Sequence, residues 1–450
     1  MRIIHHFRCV DFFPVTCSLL AILAGALSSP RAIAAGLYRD GASASSMAMG
    51  GTTTAAAEGP ADALSSNPAE LSSFSGPTLE MSAGGGFVHG DFSNRSNNDN
   101  ILNDAGALGS AAFVAPVGPL RFALGINPDV SLRARWRYND TPGGLGGATT
   151  YGLQPQESEI LLLRTSFGVS WQVIPTLSLG ASVGLLYNQN ELNAPYVFQS
   201  QPVLRTAKTL LDLNTSGFGW DVQGGVLWKP ASTVSLGASY TTRSRIVSDG
   251  SASGNADVQF ANLGLGGARS EFNYDASVIN VFPQQVSSGV GWQAMPKLLL
   301  SAQMDWINWS NAFDTLAVRL KNGNNQVLNG LLHSTSLNDN VPLDWSDQFV
   351  WRLGIEYAVS AHWTLRWGYA YTRDPVPPDT LTPLTAAITE STLTTGVGFH
   401  TGPVKIDLAY QWGLPNTVHI GNSALAAGEY SNSTIRVTEQ WVGLTTTIAF

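Results

Sequence analysis

The chain has 450 residues, of which only 12% are charged, with 46 glycines, 13 tryptophans and a formal charge of −8. That charge share is about half of what a soluble domain carries. The acidic balance, with no basic cluster, excludes nucleic acid as a partner.

In chain order, residues 1–34 read as an export signal. Arg2 and Arg8 give a positive start, Val15–Leu27 is an apolar run, and Ala32-Ile33-Ala34 is a small-x-small cleavage site. The run is too short to span a bilayer as a permanent helix. The leader contributes +2, so the mature chain carries −10, and it contains Cys9 and Cys17, the two cysteines of the sequence. No disulfide, iron–sulfur cluster or cysteine zinc site is then available to the mature protein.

Residues 35–77 have a different character. Gly36–Gly76 is built from Gly, Ala, Ser and Thr and ends near Asn67-Pro68-Ala69. Such residues bury too little apolar area to offset their ordering entropy, so the segment needs an enclosing structure. Short helices are expected at Ser43–Ala48 and Pro60–Ser65. We assign 35–77 as a hatch and 78–450 as its enclosure.

After the leader no run of 18 apolar residues occurs, which excludes transmembrane helices. Period-two alternation recurs instead. Leu177, Leu179, Ala181, Val183, Leu185 and Tyr187 share one face; Phe349, Trp351, Leu353, Ile355 and Tyr357 oppose Arg352 and Glu356; Val404, Ile406, Leu408, Tyr410 and Trp412 oppose Lys405, Asp407 and Gln411. Side chains alternate across a strand, so each segment has one greasy and one polar face. Tyr187, Trp228, Tyr240, Trp306, Tyr357, Tyr371 and Trp412 fall near strand ends, where aromatic girdles meet headgroups. A soluble sandwich has no need of that girdle.

Six short turns, among them Gly118-Pro119, Pro175-Thr176 and Gly402-Pro403, alternate with long polar loops near 93–107, 138–157, 190–215, 249–275, 314–346, 374–390 and 414–436. The fold class is therefore an all-β transmembrane antiparallel barrel of about 14 strands, with the hatch plugging its lumen. The last strand ends on Phe450, which resembles the signal read by the outer-membrane barrel assembly machinery. The expected address is the outer membrane of a Gram-negative bacterium, with outer-membrane lipid as neighbour and both mature termini periplasmic.

Over the whole mature length the chain resembles the FadL-like outer-membrane transporters of long-chain fatty acids and other hydrophobic compounds. The likeness is carried by the small-residue segment ending in Asn67-Pro68-Ala69, by Trp309-Ser310, and by the series Gly354-x-Glu356-Tyr357, Arg366-x-Gly368 and Pro375-Val376-Pro377. The loop that follows, Leu384–Glu390, departs from the family pattern. The resemblance implies that ligand enters from outside, binds in the lumen and leaves sideways through a wall gap at a kinked third strand. Here Asn127-Pro128-Asp129 interrupts the expected strand Leu120–Trp136, since Pro cannot donate to a ladder; a turn ending the strand at Asn127 is the alternative. With a kink, the hatch triplet Asn67, Pro68 and Ala69 is expected to sit against it.

A fatty acid needs a cation for its carboxylate. The inward-facing candidates are Arg164, Arg352, Arg366 and Lys405, with Asp221, Asp305, Glu356 and Asp407 as acids that pair with them across strands. Leu210, Leu211, Leu331 and Leu332 are candidates for an outer apolar capture site, or else pack one loop on another. The scattered His residues have no metal-ligand spacing, and no Gly-x-Ser-x-Gly elbow or phosphate loop is present, so no catalytic residue, metal or cofactor is expected. The function expected is passive uptake of a hydrophobic small molecule, foremost a long-chain fatty acid. Transport of aromatic hydrocarbons, and an unplugged porin or adhesive barrel, are the alternatives.

Overall fold

The computed structural model describes residues 40–450, the side chains of 99–104 excepted. The leader expected at 1–34 and the mature start expected at Ala35-Gly36 lie outside the described residues. Eighteen ladder segments in one antiparallel sheet build fourteen staves. The first six are β1 (Thr78–Asn94), β2 (Asn97–Val117), β3 (Leu120–Asn139), β4 (Leu153–Ile174), β5 (Leu177–Val197) and β6 (Lys208–Ala231). Each of the next four is broken in two: β7 (Val234–Thr241 and Ser244–Asn255), β8 (Glu271–Phe282 and Gln285–Met295), β9 (Leu298–Ile307 and Thr315–Lys321) and β10 (Leu337–Pro342 and Gln348–Ala358). The last four are β11 (Trp363–Thr372), β12 (Ser391–Thr401), β13 (Val404–Ile420) and β14 (Ser433–Ala449). β1 pairs with β14 from Thr78↔Ala449 to Ser93↔Thr434, which closes the sheet into a barrel.

The alternation fixes which face points where. On β10 Phe349, Trp351, Leu353, Ile355 and Tyr357 are exposed on the outer surface while Val350 and Arg352 are buried inside. Trp228, Tyr240, Tyr357, Tyr371 and Trp412 are exposed on that same outer surface, as a girdle requires.

Loop lengths differ from expectation. The loop expected at 93–107 is a hairpin with only Arg95-Ser96 at its tip, and the one expected at 190–215 shrinks to 198–207. The stretch 314–346 holds two ladder segments and a helix, Gln326–Leu332. Beyond the bilayer a strand needs no greasy face, so its composition there matches that of a loop.

The four breaks are contiguous around the wall. Pro283, which cannot donate, breaks β8, and a single 3-10 turn at Trp309–Asn311 breaks β9. Trp309 and Ser310 therefore sit in this turn, between the two halves of β9. Trp309 is fully buried and packs edge-on against Phe313 and Trp345, with centroids 5.0 and 5.1 Å away. The Asp347 carboxylate accepts from Asn308 Nδ2 at 2.9 Å and Ser310 Oγ at 2.7 Å, which ties the break in β9 to that in β10. Trp309→Ala is expected to destabilise the barrel by about 3–5 kcal/mol, measured by urea unfolding in lipid vesicles. A loss below about 1 kcal/mol would show that the aromatic cluster does not hold the break together.

Candidate transport site

The hatch fills the lumen with three short helical pieces. α1 (Ala44–Ala48) is capped by Ser43, whose Oγ accepts from Ser46 N at 3.2 Å. α2 (Pro60–Ser65) starts with Pro at its first position, and a 3-10 turn spans Pro68–Ser73 behind Asn67, whose Oδ1 accepts from Ala69 N at 3.1 Å. Helices this short do not hold in isolation. The hatch is held to itself by Asp62, which accepts from Ser43 Oγ at 2.7 Å, and to the barrel by a seat of inward-facing glycines. A Cβ on Gly180 would lie 2.2 Å from Ala69 N, on Gly225 1.9 Å from Asn67 Oδ1, on Gly237 1.9 Å from Thr54 O, and on Gly368 2.1 Å from Gly50 N. A side chain at any of these lifts the hatch.

The four candidate ligand cations all touch the hatch instead. Arg352 pairs with Asp40 and, at 2.8 Å, with Asp305. Arg366 pairs with Glu58 at 2.7 Å, Glu356 at 2.7 Å and Asp407 at 2.8 Å. Lys405 shares Glu58 and lies 3.5 Å from Asp407. Arg164 pairs with Asp221 at 2.9 Å and donates to the Leu64 carbonyl at 3.0 Å. The expected cross-strand acids are thus present, and the hatch acids Asp40 and Glu58, which strand alternation does not reveal, complete the set. A signal existed: Asp40, Glu58, Asp62 and Glu70 stand in a stretch otherwise nearly free of charge.

Asn67-Pro68-Ala69 lies elsewhere than expected. Asn67 Nδ2 donates to the carbonyls of Thr54 at 2.7 Å and Val226 at 3.0 Å, so the triplet packs on β5 and β6 rather than on the third strand. It is Leu64 of α2 that reaches Gly125 beside the kink.

The third strand is irregular where Pro128 falls. β2 and β3 pair only from Val117↔Leu120 to Ala111↔Ile126. From Asn127 outward β3 continues on β4 alone, with a register shift between Pro128 and Val130. Asn127 donates to Asp129 within the bulge, and Asp129 lies 3.9 Å from Arg164. At the outer end the two strands meet again: Asn97 Nδ2 donates to Asn139 O and Asn139 N to Asn97 Oδ1, both at 2.8 Å. The ladder thus has a window, closed below and above. A polar cavity of about 110 Å³, lined by Asn127, Pro128, Asp129, Ser65 and Asp221 among others, lies between hatch and window.

Two apolar cavities lie farther out. One, of about 200 Å³, is lined by Leu132, Ile160, Leu211, Leu213, Val318, Leu384 and Tyr430. Its lining includes Glu159, Glu191, Asp339 and Glu429 but no Lys or Arg. The other, of about 180 Å³, lies under the loops among Phe198, Leu204, Phe260, Phe272, Leu328 and Leu331. Of the four leucine candidates, Leu211 lines the first cavity and Leu331 the second. Leu332 packs against the cluster around the second, and half-buried Leu210 lines neither.

Between the apolar and polar cavities runs the loop 373–390, folded into the lumen with Val376, Leu381, Ala387 and Ile388 buried. Trp136 Nε1 donates to Pro383 O at 2.9 Å and Ser158 Oγ to Leu384 O at 2.7 Å, pinning the loop to β3 and β4. Buried Lys208 pairs with Asp140 and Glu429, both at 2.6 Å, and so ties three outer segments over the cavity mouth.

A closed fourteen-stave barrel with a seated N-terminal hatch and a window in the ladder between its second and third strands defines an outer-membrane transport channel. The chain belongs to the family of outer membrane protein transport proteins (OMPP1/FadL/TodX), whose model matches residues 25–450. Its fold is similar to that of a Pseudomonas aeruginosa FadL homologue, with TM-score 0.73 and 16% identity over 92% of this chain and 100% of the other. The Pseudomonas putida toluene transporter TodX gives 0.73 and 19% identity over 93% and 100%. The Ralstonia pickettii toluene transporter TbuX gives 0.68 and 22% over 91% and 99%. No curated protein sequence matches the chain.

Glu58→Gln leaves Arg366 and Lys405 short of a shared buried partner, a loss of about 3–5 kcal/mol in hatch seating. Ion conductance across planar bilayers should rise relative to the unaltered protein; unchanged conductance would mean that Glu58 does not secure the hatch. A second expectation concerns pH. Burial pushes the Glu429 carboxyl from its ordinary 4.5 up to about 7, with Lys208 offsetting only part. The closed cap therefore holds its proton more tightly than the opened loop does. Closure is strongest below about pH 4.5 and weakens as pH rises toward about 7. Amide exchange over residues 421–432, corrected for intrinsic rates, should accelerate through that window and do so less steeply in Glu429→Gln, where Asp140, also pushed up by burial, remains on Lys208.

Proposed function

We propose that the protein is a passive channel for neutral hydrophobic small molecules, with single-ring aromatic hydrocarbons as the substrate class. The observation that carries this is the 200 Å³ apolar cavity, which has four carboxylates and no cation in its lining. An apolar cavity of about 150 Å³ suffices to bind benzene. A fatty-acid carboxylate finds no unengaged cation there, since Lys208 and Arg133 behind the wall already pair with Glu429 and Glu159. Arg164, Arg352, Arg366 and Lys405 are engaged by acids deeper down. The long-chain fatty acid favoured by sequence reading is therefore the second choice.

In this route the ligand enters the 180 Å³ cavity under the loops, where Leu331 is exposed, and moves into the 200 Å³ cavity beside Leu211. Displacement of the 373–390 loop lets it reach the level of Asn127, Pro128 and Asp129, and the window between β2 and β3 releases it sideways into the membrane. The hatch, with Asn67, Pro68 and Ala69 locked on β5 and β6, stays seated and keeps water-soluble solutes out. The short turns, both termini and exposed Phe450 face the periplasm, where Phe450 serves as the assembly signal.

Reconstituted protein should accelerate toluene entry into liposomes well beyond oleate entry and pass no small sugar. Leu213→Asp should lower toluene entry by about tenfold, because the added charge is buried in an apolar wall. Oleate entering faster than toluene would replace this reading with the fatty-acid one, and free passage of sugar would replace it with a porin.

A further inference from the structure

We propose that Arg243 and Arg245 on the outer surface of β7 dock the phosphate of an outer-leaflet glycolipid. The site arises from the break in β7. β6 pairs with the inner half of β7 from Ala231↔Val234 to Gln223↔Thr241, and with the outer half from Ser216↔Asp249 onward. Between them the ladder is interrupted, and Thr242 bridges to β6 locally: its N donates to Val222 O at 2.9 Å and its Oγ1 accepts from Val222 N at 3.0 Å. Thr241 and Thr242 both line the inner cavity, so the alternation slips by one residue. Arg243 and Arg245, which a regular continuation would turn into the lumen, face outward instead, and both are exposed.

Their surroundings are apolar and uncharged. Tyr240 lies just below, its hydroxyl donating to Gln284 Oε1 at 2.9 Å, and Val247 lies just above. On neighbouring β6, Phe218 and Trp220 are 68% and 67% exposed. Among the described residues neither arginine forms an ion pair or a side-chain hydrogen bond. Two guanidinium groups therefore stand at the level of the aromatic girdle with no protein anion to neutralise them. Guanidinium binds phosphate through paired, charge-assisted hydrogen bonds. Arginines two residues apart on one strand face are about 7 Å apart, so one phosphate group or its two neighbouring oxygens can be shared between them. The exposed Phe218 and Trp220 supply a floor for acyl chains, which a free anion would not use. A lipid that presents phosphate at the interface satisfies both halves of the site.

The test uses the full chain in phosphatidylcholine vesicles containing lipid A, with native mass spectrometry to count retained lipid after extraction. Arg243→Gln with Arg245→Gln should reduce retained lipid A by about tenfold. Arg243→Lys with Arg245→Lys should retain an intermediate amount, because charge remains while the bidentate geometry is lost. Heat-modifiable migration on gels checks that each variant is folded, and toluene entry should be unaltered in both. Dephosphorylated lipid A should be retained poorly by the unaltered protein. Equal retention by the glutamine variant, or equal retention of the dephosphorylated lipid, overturns the proposal. Inorganic phosphate alone binding as tightly would assign the site to a free anion and overturn it equally.

Discussion

The structure depends on charges that neither the hatch nor the barrel can bury alone. Arg352, Arg366 and Lys405 project from the wall into a lumen where bare cations are costly, and Asp40 and Glu58 sit on a segment with no core of its own. Each side supplies what the other lacks. The wall also carries acids, Asp305, Glu356 and Asp407, so the clusters are networks rather than isolated pairs. Removing one member leaves several buried groups unbalanced. The hatch is therefore less a plug of fixed shape than one half of a charge-balanced interior.

Much of the barrel was legible because period-two alternation is a strong signal wherever one face meets lipid. Val404 to Trp412 reads as a strand from its letters alone. The signal fades where the strands leave the bilayer. Asn97 to Ala107 has no greasy face, so it reads as loop, yet it pairs along most of its length with β1. The breaks in β7 to β10 were also hidden, since only Pro283 advertises one. Trp309-Ser310 was visible as a motif, but its place in a turn was not.

The candidate site was legible in part. Alternation told that Arg164, Arg352, Arg366 and Lys405 face inward. It did not tell depth, and depth decides whether a lumen cation meets ligand or hatch. An interruption at Asn127-Pro128-Asp129 was predictable because Pro lacks a donor, and the ladder shifts register there. Its neighbour was not, because which hatch residue reaches it depends on how the glycines of the seat are distributed around the wall: Gly180 and Gly225 draw the Asn-Pro-Ala triplet toward β5 and β6, leaving Gly125 to Leu64. The apolar cavities are assembled from residues of many staves and loops, so no single stretch announces them.

The closure of the barrel has a consequence for the order of events in its making. The hatch precedes β1 in the chain, while its seat includes Gly443 on β14, against which Met47 packs, and the Phe450 amide bonds to Pro77 O at 2.9 Å. Residues synthesised first are thus enclosed only when the last strand arrives. Until then the hatch acids and wall cations share open water, where their attraction is weak. Zipping β14 onto β1 expels that water and strengthens every pairing at once, so the final step of assembly is also the one that locks the gate.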